Sequence, residues 1–111
     1  MKRSSTSHLS RVSTALLEAL AAEVRAARKE RGWTENDLAE RLGSSRDTVR
    51  AIEAARPSVA AGTLFEAAYV LGLPLLGGDA NVARIKSEAQ ARLVLLPGRV
   101  RPRRLEVNDD F

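Results

Sequence analysis

Gly32-Trp33-Thr34-Glu35-Asn36-Asp37-Leu38-Ala39-Glu40-Arg41-Leu42-Gly43-Ser44-Ser45-Arg46-Asp47-Thr48-Val49-Arg50-Ala51-Ile52-Glu53 decides the fold. Thr34 is a capping residue, and Glu35 and Asp37 behind it suit a helix's first turn. Leu38, Ala39 and Leu42 recur at helical spacing, and Gly43 can take the left-handed conformation that ends a helix. Only Ser44 and Ser45 follow before a second periodic run, Arg46 to Ala54, with Val49, Ile52 and Glu53 on its inner side. Two short helices joined by a tight turn containing glycine form a helix-turn-helix.

Upstream, residues 1–12 are Ser/Thr-rich without periodicity and read as a flexible arm. Ser13 or Thr14 would cap a first helix through Leu16, Leu17, Leu20, Ala21, Val24, Ala27 and Arg28, closed by Gly32. Downstream, Ala60 to Leu71 reads as a fourth helix with Leu64, Ala67, Ala68 and Leu71 inward, and Gly72 and Pro74 after it. Asp79 would cap a fifth helix carrying Val82, Ile85, Ala89 and Leu93 as an apolar stripe, ended by Pro97-Gly98. The expected class is all-α: a helix-turn-helix domain over 13–76, an added helix over 79–96, and a basic then acidic tail over 97–111.

Composition narrows the chemistry. The 111 residues contain no cysteine and one histidine, His8, so thiol chemistry and His-built metal or catalytic centres are out of reach. No metal, cofactor or enzymatic activity is expected. No apolar run approaches the roughly 18 residues of a membrane span, and Met1-Lys2-Arg3-Ser4-Ser5 lacks the apolar segment of a secretory signal, so a cytoplasmic protein is expected. Net charge is +4, a balance often met in nucleic-acid binders. Residues 32–57, however, hold four basic and five acidic side chains, net −1.

Residues 20–73 resemble the Cro/C1-type (XRE-like) helix-turn-helix family. Thr34, Leu38, Ala39, Gly43, Val49, Ile52 and Glu53 fall at that family's spacing, and Leu71-Gly72-Leu73-Pro74 resembles its closing segment. Two positions depart from the pattern. Glu35 stands where the family carries a glutamine that touches phosphate, and Ser44 where it carries an apolar residue. The resemblance implies that the third helix enters the major groove of double-stranded DNA. Ser45, Arg46, Asp47, Arg50 and Ala51 would then face base edges, the arginines suited to guanine O6 and N7. Thr34, Thr48, Arg56 and Ser58 would hold phosphates, with Arg28 and Lys29 further off as solvated or phosphate-facing cations. Glu53 is implied as structural, tying the third helix to backbone or to a basic residue. Trp33 reads as a core or staple residue, and Phe65 and Tyr69 as core or dimer surface.

One such helix reads few base pairs, so a homodimer on a palindromic operator is expected, paired through Val82, Ile85, Ala89 and Leu93; folding of that stripe back on the first helix is the alternative. The added helix and the tail are similar to small antitoxins of the HipB type, which sit beside HipA-like kinase toxins. That likeness implies a repressor of its own operon whose tail, through Arg103, Arg104, Leu105 and Phe111, contacts a toxin; a DNA-backbone arm and a disordered charged end are the alternative readings of the tail. A free-standing XRE-type regulator is the next reading. A helix-turn-helix kept only for protein contacts is the third, suggested by Glu35 and the acidic balance of residues 32–57.

Overall fold

A computed structural model of the chain describes residues 8–100 and 102. Among the described residues five α-helices follow one another: α1 (Arg11–Glu30), α2 (Glu35–Leu42), α3 (Arg46–Glu53), α4 (Ala61–Val70) and α5 (Asp79–Leu95), with a short 3-10 turn at Leu75–Gly77. No strand occurs among the described residues. No described helix is long and apolar enough to cross a membrane.

Local chemistry explains the boundaries. Ser10 caps α1 by accepting from the Ser13 amide at 3.0 Å. The helix therefore starts at Arg11, earlier than the Ser13 or Thr14 cap expected from sequence, and residues 11 and 12 belong to it and not to the arm. A run of Ser and Thr offers several chemically equivalent caps, and spacing alone cannot choose among them. At α2 the cap is reciprocal. Thr34 Oγ1 accepts from the Asp37 amide at 3.0 Å, and Asp37 Oδ2 accepts from the Thr34 amide at 2.8 Å. Ser45 caps α3 by accepting from the Thr48 amide at 3.2 Å.

The first four helices end alike. In each, an amide two or three residues past the last helical residue reaches back to a carbonyl five residues earlier: Trp33 to Arg28, Ser44 to Ala39, Arg56 to Ala51 and Leu73 to Ala68. This closure needs one left-handed residue per helix. Gly32, Gly43 and Gly72 supply it at φ of 72, 65 and 72°. After α3 the position is Ala55 at φ 58°, a conformation that costs a residue with a Cβ about 1–2 kcal/mol. The helix thus stops at Glu53, four residues before Pro57, through its own terminal hydrogen bonds.

The stretch through Gly78 and the stretch from Asp79 are separate compact units. In the first, Val24 and Ala27 of α1, Leu38 and Ala39 of α2, Val49 and Ile52 of α3, and Ala67 and Leu71 of α4 form one buried cluster. Leu20, Trp33, Leu42, Val59, Leu64, Val70 and Leu73 pack against it. Arg41 lays its guanidinium over the Trp33 ring, 4.0 Å from the centroid, which closes the α1–α2 corner. Arg31 Nη2 donates to the Leu71 carbonyl at 2.7 Å and joins the ends of α1 and α4.

Two inward expectations fail. Leu16 has helical spacing but is exposed, because buried positions in α1 begin only at Ala21. Phe65 and Tyr69 point outward from α4, so neither is a core residue. In the second unit, α5 has no buried residue, and Val82, Ile85 and Leu93 are exposed.

Candidate nucleic-acid interface

The inner side of α3 is fixed before its outer side can do anything. Val49 and Ile52 are buried in the core. Glu53 is held by a residue that sequence placed at a solvated helix end. Arg28 Nε donates to Glu53 Oε2 at 2.7 Å, Arg28 Nη2 donates to Glu53 Oε1 at 3.0 Å, and Arg28 Nη1 donates to the Trp33 carbonyl at 2.8 Å. Both side chains of the pair are under a tenth exposed. Arg28 is thus a buried structural cation, and the expectation that it faces solvent or phosphate is corrected. The Glu53 hydrogen bond is the largest influence raising the Arg28 pKa above its ordinary value, against the lowering effect of burial. Glu53 is structural, as the family resemblance implied.

With that side secured, the opposite face is forced outward. Ser45, Arg46, Asp47 and Arg50 are exposed, and Ala51 is half-buried. Arg46 and Arg50 stand one turn apart on this face. Arg50 is not free of the protein: its Nε donates to Glu35 Oε1, at the start of α2, at 3.0 Å. The Glu35 carboxyl is held below its ordinary range, mainly by that hydrogen bond and also by the charges of Arg28 and Arg46.

Beside this face lies an open concavity of about 380 Å³ lined by Ser44, Asp47, Thr48, Ala51, Ser58, Val59, Ala60 and Thr63. It brings together Thr48 and Ser58, two of the expected phosphate-holding residues, with Asp47 and Ala51 from the outer side of α3. Thr34 and Arg56 do not line it: Thr34 is at the head of α2, and Arg56 is exposed just after α3. The Thr48 hydroxyl is shared with Ser45 Oγ at 3.1 Å. The first turn of α4 opens at the concavity without a side-chain cap, since its capping position is Ala60. Sequence reading did not single out Thr63, although its place in the first turn of a helix without a capping side chain was the available signal. Nor did it find the Glu35–Arg50 and Arg28–Glu53 pairs, whose members lie 15 and 25 residues apart.

The expected tail contacts, Arg103, Arg104, Leu105 and Phe111, lie outside the described residues. Among those described, no cluster of His, Cys, Asp or Glu is arranged to hold a metal ion.

Comparison with known families agrees with this geometry. Residues 24–77 match the family described as Helix-turn-helix. The match runs from the buried half of α1 through the 3-10 turn and takes in the whole α2–turn–α3 unit. This segment has the fold of a Cro/C1-type helix-turn-helix domain, a fold that occurs in DNA-binding transcription regulators of the XRE type. Neither a curated protein nor a solved structure matched the chain.

Proposed function

We propose that the protein is a sequence-specific transcriptional repressor that binds a palindromic operator as a homodimer. The supporting observation is the two-sided character of α3. Val49, Ile52 and the Arg28–Glu53 pair fix its inner side, while Arg46 and Arg50 are exposed on the other. Arginine's planar fork matches guanine O6 and N7, so this is a face that can read base edges. Thr48, Ser58 and Arg56 hold the flanking phosphates, and Thr34 contacts the backbone beside α2.

A single α3 spans too few base pairs for useful specificity, and two copies place their reading helices one DNA turn, ~34–36 Å, apart. Val82, Ile85, Ala89 and Leu93 of α5 are the pairing surface. Three of the four are large and exposed, and an apolar stripe of that kind calls for a partner. Selection from a random duplex pool, followed by sequencing, tests the reading. The wild type should enrich a two-fold symmetric site, and Ile85→Asp should lose the symmetric enrichment and sediment as a monomer. Absence of any enriched motif from the wild-type pool would favour a module kept for protein contacts.

The finer reading is an antitoxin that represses its own operon and binds a HipA-like kinase through its tail. The support is the sequence of that tail, where Leu105, Val107 and Phe111 are set among charges in a manner suited to docking on a protein surface. Truncation after Gly98 should then weaken kinase binding about tenfold by calorimetry, ~1.4 kcal/mol. Unchanged kinase affinity would leave a free-standing regulator.

A further inference from the structure

The family resemblance makes Glu35 an oddity, a carboxylate at the mouth of a DNA-reading surface where phosphate would repel it. The structure gives it a specific neighbour. Its Oε1 accepts from Arg50 Nε at 3.0 Å across the α2–α3 corner, with the arginine side chain still 54% exposed and the glutamate 32%.

Which nitrogen makes the contact matters. The Nη1 and Nη2 end of a guanidinium is the fork that meets guanine O6 and N7. Here that end makes no hydrogen bond among the described residues, while Nε is held from behind. A carboxylate that competed with DNA for Arg50 would occupy the fork. One that grips Nε restrains a long, flexible side chain and leaves the reading end open. The charge arithmetic points the same way. Arg46 and Arg50 are balanced by Asp47 and Glu35, so the face carries no net charge to attract phosphates at large. Binding that does not depend on bulk attraction leans on correctly placed base contacts, because the sequence-independent part of DNA affinity comes from neutralised phosphates.

We propose that Glu35 is a positioning residue for Arg50: it orients the Arg50 fork toward a guanine in each half-site and suppresses binding to unrelated duplex. The proposal rests on the reading of α3 as the base-contacting helix, and the test separates the two.

The probes are a duplex selected by the wild type from a random pool, the same duplex with one base pair changed at the position whose preference Arg50→Ala relaxes, and a scrambled duplex. Affinities are measured at two salt concentrations. Glu35→Ala should reduce discrimination between the first two probes by about fivefold or more. It should also tighten scrambled-duplex binding and steepen the log–log salt slope by about 0.9 per subunit as Arg50 turns to phosphate. Glu35→Gln, which keeps an acceptor but not the charge, should recover part of the discrimination. In an Arg50→Ala background, Glu35→Ala should not change discrimination, because the two residues act as one unit. If Arg50→Ala abolishes discrimination but Glu35→Ala leaves it intact, Glu35 does not position Arg50 and the base reading stands. Equal tightening on all three probes, with discrimination unchanged, makes Glu35 a brake and overturns the proposal. If Arg50→Ala relaxes no position, the base reading of Arg50 fails and this proposal fails with it.

Discussion

Glu53→Ala is expected to cost about 3–5 kcal/mol of folding free energy, the usual penalty for stranding one member of a buried ion pair. For a core this small, whose total stability lies toward the low end of ~5–15 kcal/mol, that is most or all of it. The expectation is asymmetric. Arg28 keeps its charge at any accessible pH, so removing Glu53 leaves a buried cation that cannot neutralise itself. A glutamate left without its arginine can take up a proton. Arg28→Met should therefore cost less than Glu53→Ala, and Arg28→Met with Glu53→Leu should recover part of the loss by filling the space with apolar groups. Urea unfolding followed by the fluorescence of Trp33, the only tryptophan, gives all three values. Trp33 suits the purpose because its carbonyl is the third acceptor for Arg28. A Glu53→Ala protein within about 1 kcal/mol of wild type, or more stable than Arg28→Met, would show that the pair does not hold α3 to α1.

Arg46→Ala and Arg50→Ala should each weaken binding to the selected duplex by about 1–3 kcal/mol and relax preference at one base pair per half-site. Both parts matter. An arginine that only holds phosphate lowers affinity on every sequence alike and reduces the salt slope by about one. The exposed outer face of α3 favours base contact for Arg46, which opens the helix and has no ion-pair partner among the described residues. For Arg50 the Glu35 contact makes the distinction sharper, since a restrained fork has fewer ways to meet a phosphate. Gel shifts on selected and scrambled duplex at fixed salt separate the two modes. Loss of affinity on both probes by the same factor would move these residues to the backbone.

How much of this was legible in the sequence follows from the range of each interaction. The α2 cap was visible because Thr34 and Asp37 are three residues apart and local chemistry decides the geometry. The inward face of α3 was visible because Val49 and Ile52 repeat at helical spacing on a short helix with little room for error. Gly32, Gly43 and Gly72 marked helix ends because they take positive φ freely, whereas Ala55 does the same job with no sequence signal at all. Arg28 misled for a related reason. A cation in the last turns of a helix has a sufficient local explanation in the helix dipole, so nothing in its neighbours points to a glutamate 25 residues away. Glu35 could be recognised as unusual from sequence, but its tie to Arg50 needed the α2–α3 crossing. Leu16 kept the periodicity of α1 after the core beneath it had ended.

Methylation interference shows whether the outer face of α3 reads guanine edges in the major groove. N7-methylguanine blocks the atom that an arginine fork would contact. Wild-type binding to the selected duplex should be prevented by methylation at guanines in two clusters about one helical turn apart. With Arg46→Ala, one of those guanines per half-site should become indifferent to methylation. Binding that tolerates N7 methylation throughout, or an Arg46→Ala pattern identical to wild type, would mean that this face of α3 does not read guanine edges.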